Sequence, residues 1–212
     1  MKESPEESII SNNDVTNIRN LNAFENLKEE SLKNIVSEGK VLYFKEGWPL
    51  ANIDEINSNI YFILYGKARL LDISNNKLVT VTKLSIGDSI NLGSLLRGEA
   101  CEQVNASTEL KVFALNDKNI LNLYKKEKEF KNWCDQTIFP CEIASLSKSL
   151  SKFTNKKDFD FKDIFDIIYE KEVIKIVNAN YQKKATEKLY IGSKNIDTLE
   201  IGSSIDKVSK SK

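Results

Sequence analysis

The side chains that could carry chemistry are few. The 212-residue chain has no histidine, which removes a histidine general base, Ser-His-Asp and Cys-His pairs, and histidine metal ligands. Its three cysteines, Cys101, Cys134 and Cys141, are odd in number and lack Cys-x-x-Cys spacing. Neither a disulfide framework nor a zinc site is expected from them; buried or half-buried free thiols are. Gly93-Ser94-Leu95-Leu96-Arg97-Gly98-Glu99-Ala100 has the glycine frame of a phosphate-binding loop. Such a loop needs Lys after its last glycine, and Glu99 there would repel phosphate. Asp158 with Asp160, and Asp163 with Asp166, lie in turn or helical context, where carboxylates serve as solvated charges or helix N-terminal anions. Asn105-Ala106-Ser107 matches a glycosylation acceptor by pattern only. With no nucleophile–base pair, metal cluster or cofactor loop, no enzymatic activity is expected, and no metal is assigned.

One stretch rises above this background. From Gly87 to Thr108 a glycine turn leads into a short helix at Ser94–Leu96, whose free amide groups would face into a β-sandwich. A helix N-terminus suits an anion, and Arg97 just beyond it is one phosphate partner. The same residues also read as a tight strand-to-helix connection with a surface arginine. Both readings stay open on sequence alone.

The strands and helices around this stretch follow from the apolar patterning. Short runs rich in Val, Ile, Leu, Tyr and Phe lie at Val41–Phe44, Asn59–Tyr65, Lys67–Ile73, Lys77–Leu84, Glu102–Ala106 and Leu110–Leu115. Gly47, Gly66, Gly87 and the Asn75-Asn76 pair punctuate them. Many short strands with evenly spaced turn signals and no long helix between them imply an antiparallel sandwich or jelly roll. Helices flank it. Leu32, Ile35 and Val36 share a face before Gly39, and Asn116 can cap a helix reaching about Lys126. Phe130, Trp133, Cys134, Thr137 and Ile138 recur at helical spacing. This interface face either caps the sandwich or pairs with itself or a partner. Pro140 suits the first turn of a further helix, with Ile143, Leu146 and Leu150 as its stripe. Phe161–Glu170 fits another, and Val173–Val177 and Lys188–Gly192 read as strand-like.

The expected class is therefore mainly β with flanking helices. Its parts are a flexible polar tail at 1–20, a jelly roll with flanking helices at 21–126, a helical segment at 127–151, and a small α/β extension or linker with a disordered tail at 152–212. Basic and acidic side chains balance at 31 each, for a net charge of zero. No global field therefore holds nucleic acid or an anionic membrane. With only Arg19, Arg69 and Arg97, bidentate readers of phosphate or guanine are scarce. The longest apolar run, Ile60 to Tyr65, falls far short of the ~20 residues that span a bilayer. The start, MKESPEESII, has neither the basic nor the apolar region of a signal peptide. A cytoplasmic protein with no direct membrane insertion is expected.

Residues 21–126 resemble the cyclic nucleotide-binding domain family. The matching pieces are Phe24-Glu25-Asn26-Leu27, Phe44-Lys45-Glu46-Gly47, Ile60–Gly66, Leu84-Ser85-Ile86-Gly87-Asp88 and Val104–Thr108. The resemblance implies an eight-stranded jelly roll, or double-stranded β-helix, with helices on either side. It implies cyclic AMP or cyclic GMP as the ligand class, held by a cassette running Gly-Glu-Leu and then Arg-Ser/Thr-Ala. In the family the Glu accepts from the ribose and the Arg pairs with the cyclic phosphate. Here Gly93 and Leu95 match, but Ser94 replaces the Glu, Ala100 takes the Arg slot and Cys101 the Ser/Thr slot. Losing two charge-assisted anchors, each worth about 1.5–3 kcal/mol, lowers affinity ~100-fold or more.

A narrower resemblance joins Ala68-Arg69-Leu70-Leu71, Gly93–Gly98, Ala100-Cys101-Glu102 and Ala106–Glu109 to the N-terminal regulatory domain of cyanobacterial peptidase-type (bacteriocin or toxin) ABC exporters. It implies a non-catalytic regulatory or docking module at the cytosolic face of the inner membrane. Its partners would be the transporter's membrane and ATPase parts or another protein, with a homodimer through 127–139 as a further option. The alternatives are a cyclic nucleotide sensor using Arg97 and a transcription regulator of the cyclic AMP receptor type. Residues 151–212 contain no arginine, which disfavours the second.

Overall fold

The computed structural model describes residues 4–74, 77–153 and 161–170. Nine strands and seven helices lie among them. The chain opens with β1 (Glu6–Ser8), α1 (Asn12–Arg19) and α2 (Glu29–Glu38). The strands β2 (Lys40–Phe44), β3 (Pro49–Ala51), β4 (Asn59–Tyr65), β5 (Ala68–Ser74), β6 (Lys77–Leu84) and β7 (Ser89–Ile90) follow. After α3 (Leu92–Arg97) come β8 (Val104–Ala106) and β9 (Leu110–Asn116). Helices α4 (Asp117–Lys126), α5 (Lys128–Gln136), α6 (Pro140–Phe153) and α7 (Phe161–Glu170) complete it. The expected strand-like pieces at Val173–Val177 and Lys188–Gly192, and the Asp158/Asp160 pair, lie outside the described residues. No helix among those described is long and apolar enough to cross a membrane.

The strands form two antiparallel sheets, in the orders β1-β2-β9-β4-β7 and β3-β8-β5-β6. The eight strands β2 to β9 are the jelly roll. The described residues divide into two compact units at Asp72/Ile73, Val81/Thr82 and Thr137/Ile138. In the first, alternate residues of the paired strands point to opposite faces. Leu42, Phe44, Val112, Tyr61 and Ile63 line one face of the five-stranded sheet and Val41, Phe62 and Phe113 the other, all buried. On that second face Phe24 lies 4.7 Å from Phe62, 6.1 Å from Phe113 and 5.9 Å from Phe130 of α5. Tilted, edge and offset contacts of this kind suit aromatic rings. In the second unit α6 packs on α7 through buried Ile143, Leu146, Phe161 and Phe165.

Residues 1–20 are not a plain tail: β1 pairs with β2, and α1 is a capped helix. Ser11 and Asp14 form a reciprocal capping box, Ile18 is fully buried, and Asp14 pairs with Lys111 of β9 at 2.5 Å. Capping and a long-range ion pair replace the apolar periodicity that a sequence window detects. A second correction concerns the face running to Ile138. Helix α5 ends at Gln136, and Thr137 is extended, with its hydroxyl donating to the Trp133 carbonyl at 2.8 Å. Pro140 disfavours helix at the residue before it, so Thr137 and Ile138 leave the helical face. The turn glycines Gly47, Gly66 and Gly87 have φ of 82°, 87° and 94°. Gly66 is doubly required, since a Cβ there would stand 2.1 Å from the Glu109 carbonyl oxygen.

Candidate functional site

The segment from β7 to β8 turns on Asn91. Its backbone is left-handed, with φ 71°, where Asn is tolerated better than most residues with a Cβ. That turn starts α3, a six-residue helix closed by Gly98, also left-handed at φ 66°. Asn91 does not cap α3 with its side chain. Its Nδ2 instead donates to the Asn59 carbonyl of β4 at 2.9 Å and the Leu50 carbonyl of β3 at 3.4 Å.

The amides at the start of α3 meet a carboxylate supplied by the chain itself. Glu102 is only 4% exposed. Its Oε2 accepts from the Asn91 N–H at 2.6 Å, and its Oε1 from the Ser94 N–H at 3.1 Å and the Ser94 hydroxyl at 3.3 Å. A carboxylate taken out of water needs such donors, and hydrogen bonds to a charged acceptor are among the strong ones. Ser94 Oγ also accepts from the Cys101 N–H at 3.2 Å and lies 3.4 Å from Cys101 Sγ. The loop after α3 is thereby folded back over the helix start.

Of the residues singled out from sequence, the fold brings Ser94 and Cys101 together around Glu102. Gly93 is buried within α3; Leu95, Arg97, Ala100 and Cys101 are half-buried. Arg97 sits in the last turn of α3, the end opposite the amides. Its charge bears on α5. Burial works against the Asp135 carboxylate, but hydrogen bonds from Lys131 and Tyr124 and the charges of Lys131 and Arg97 outweigh it and hold its pKa low. Burial, together with the Asp135 charge, pushes the Cys134 thiol up to about 12 against the opposing charges of Arg97 and Lys131. Cys134 is therefore a protonated, unreactive thiol at neutral pH. Phe130 and Cys134 are buried, and Trp133 is half-buried beside Phe130 at 6.0 Å.

Asn91 and Glu102 carry the site's geometry. From sequence Asn91 has no role, and Glu102 enters only as the start of a strand-like run and as part of the Ala100-Cys101-Glu102 piece. The available signals were an Asn just before the helix start, where left-handed backbone is common, and an acidic residue two positions ahead of a buried strand.

No family model matches the chain, and no curated protein matches it. Among solved structures, the chain is similar to a cyclic nucleotide-binding domain from Methylobacillus flagellatus. The TM-score is 0.53 at 16% identity, covering 82% of this chain and 92% of that one. It is also similar to the regulatory domain of Toxoplasma gondii PKA crystallised with cAMP, with TM-score 0.47 and 14% identity over 51% of this chain and 42% of that one. The regulatory subunit of a cAMP-independent protein kinase A from Trypanosoma brucei gives TM-score 0.46 and 15% identity over 56% and 48%. The chain thus spans less than half the length of those two. The Methylobacillus likeness establishes the fold: antiparallel sheets with flanking helices in the cyclic nucleotide-binding jelly roll.

Proposed function

We propose that the chain is a non-catalytic regulatory or docking module, built on the cyclic nucleotide-binding fold, whose cassette no longer takes a cyclic nucleotide in the usual mode. The observation that carries this reading is the buried Glu102 carboxylate on the Asn91 and Ser94 amides. An incoming phosphate would have to displace two charge-assisted hydrogen bonds of about 1.5–3 kcal/mol each, at a cost of ~100-fold or more in affinity. Ala100 in the arginine slot offers no compensating cation, and Arg97 lies at the other end of α3.

The partner we assign is an ABC exporter of the peptidase-containing type, with this chain as its cytosolic N-terminal part or a separate companion. Support comes from the resemblance of Ala68–Leu71, Gly93–Gly98, Ala100–Glu102 and Ala106–Glu109 to that regulatory domain. A homodimer through 127–139 is the lesser part of the proposal, because Phe130 and Cys134 are already buried.

Calorimetric titration of the full chain with cyclic AMP, cyclic GMP and a cyclic dinucleotide tests the reading. No saturable heat from folded protein is expected. Micromolar binding that Arg97→Ala abolishes would overturn it in favour of a cyclic nucleotide sensor.

A further inference from the structure

Asn91 is the only residue other than glycine with a left-handed backbone among the described residues, and it is buried at 2% exposure. It ties three elements to the loop before β8. Its N–H donates to Glu102, its carbonyl accepts from the Leu95 N–H at 3.0 Å, and its side chain reaches Asn59 and Leu50. Asn59 begins β4 in the five-stranded sheet and Leu50 lies in β3 of the four-stranded one. One side chain therefore bridges the two sheets at the root of α3.

We propose that Asn91 and Glu102 form a latch: an autoinhibitory contact in which the chain's own carboxylate holds α3 in place without an external ligand. The latch rests on the reading that the α3 donors are already spent, and adds that α3 has two discrete arrangements. Withdrawing Glu102 strands the Asn91 and Ser94 N–H groups in buried surroundings and leaves a left-handed residue unsupported. A partner that favours the withdrawn arrangement can open the latch only to the extent that it binds that arrangement better. Ser94 is the third member, since its hydroxyl joins Glu102 to the Cys101 backbone.

Amide hydrogen exchange on the full chain tests the latch. Glu102→Gln keeps the shape but replaces one acceptor by a donor facing an N–H. It is expected to speed exchange across residues 91–97 about tenfold or more, with the β4 and β9 amides still protected. Asn91→Gly keeps the backbone conformation and removes the sheet-bridging amide, and the same segment should accelerate. Ser94→Ala removes only the hydroxyl and serves if Glu102→Gln does not fold; a severalfold rise is expected. Exchange at 91–97 within twofold of wild type in these variants would overturn the latch. So would an equal rise at β4 and β9, which would make Glu102 an ordinary core contact. Failure of the functional reading shows separately, as cyclic nucleotide binding by the wild-type chain.

Discussion

Asp14 is 2% exposed and ionised, and it keeps its charge because Lys111 and Ser11 surround it. Burial raises its pKa, but the hydrogen bonds from Lys111 and Ser11 and the Lys111 charge outweigh burial, so the folded value lies below the ordinary one. A depressed carboxylate contributes stability above its unfolded value, about 3.9, and loses it as pH falls through the folded value. Asp14→Asn should therefore cost about 1–3 kcal/mol at neutral pH. Its melting temperature should fall less steeply than wild type's below about pH 4. Parallel slopes in thermal melts from pH 3 to 7 would contradict this. The cysteines give a second prediction at this scale. Half-exposed Cys101 should react with iodoacetamide first, while buried Cys134 and Cys141 should stay unlabelled until the chain unfolds. Mass spectrometry of the native protein reads the order, and early label on Cys134 would refute it. Legibility at this scale was partial. Ser94 and Cys101 were singled out in the sequence, and the fold places them in contact with each other. The role of Glu102 was not legible, because it depends on where a loop folds back.

At the scale of elements, strands of five or more residues were legible from their apolar runs, as at β4 and β9. The strands β3 and β7 were not, being three and two residues long and defined by their pairing partners. Helix α1 escaped for a related reason: it offers only Val15 and Ile18 as apolar residues, and its stability comes from the Ser11–Asp14 box and the tie to β9. Helix α5 was legible up to Trp133 and Cys134 but not in its end, which Thr137 and the approach to Pro140 set. Its attachment rests on Phe130, fully buried and stacked on Phe24. Phe130→Ala should cost about 3–5 kcal/mol and free α5 from the sheet. Chemical denaturation should then show a lower midpoint, together with a changed Trp133 emission. An unchanged midpoint would mean that the aromatic cluster does not hold α5.

At the scale of the whole molecule, the jelly roll was legible because several motifs spread over half the chain agreed, and the flanking helices followed from periodicity. Whether the cassette could bind was only half legible. The sequence departures from the family's Glu and Arg slots could be counted, but not the Glu102 carboxylate that accepts from the Asn91 and Ser94 amides. The amides of Asn91 and Ser94 at the start of α3 are already occupied by Glu102. The most direct measurement is a ¹⁵N–¹H spectrum of the full chain with and without millimolar cyclic AMP. The Asn91 and Ser94 amide resonances are expected to stay in place. Saturable shifts of those two resonances would contradict that occupancy, because the cyclic phosphate would then have displaced Glu102.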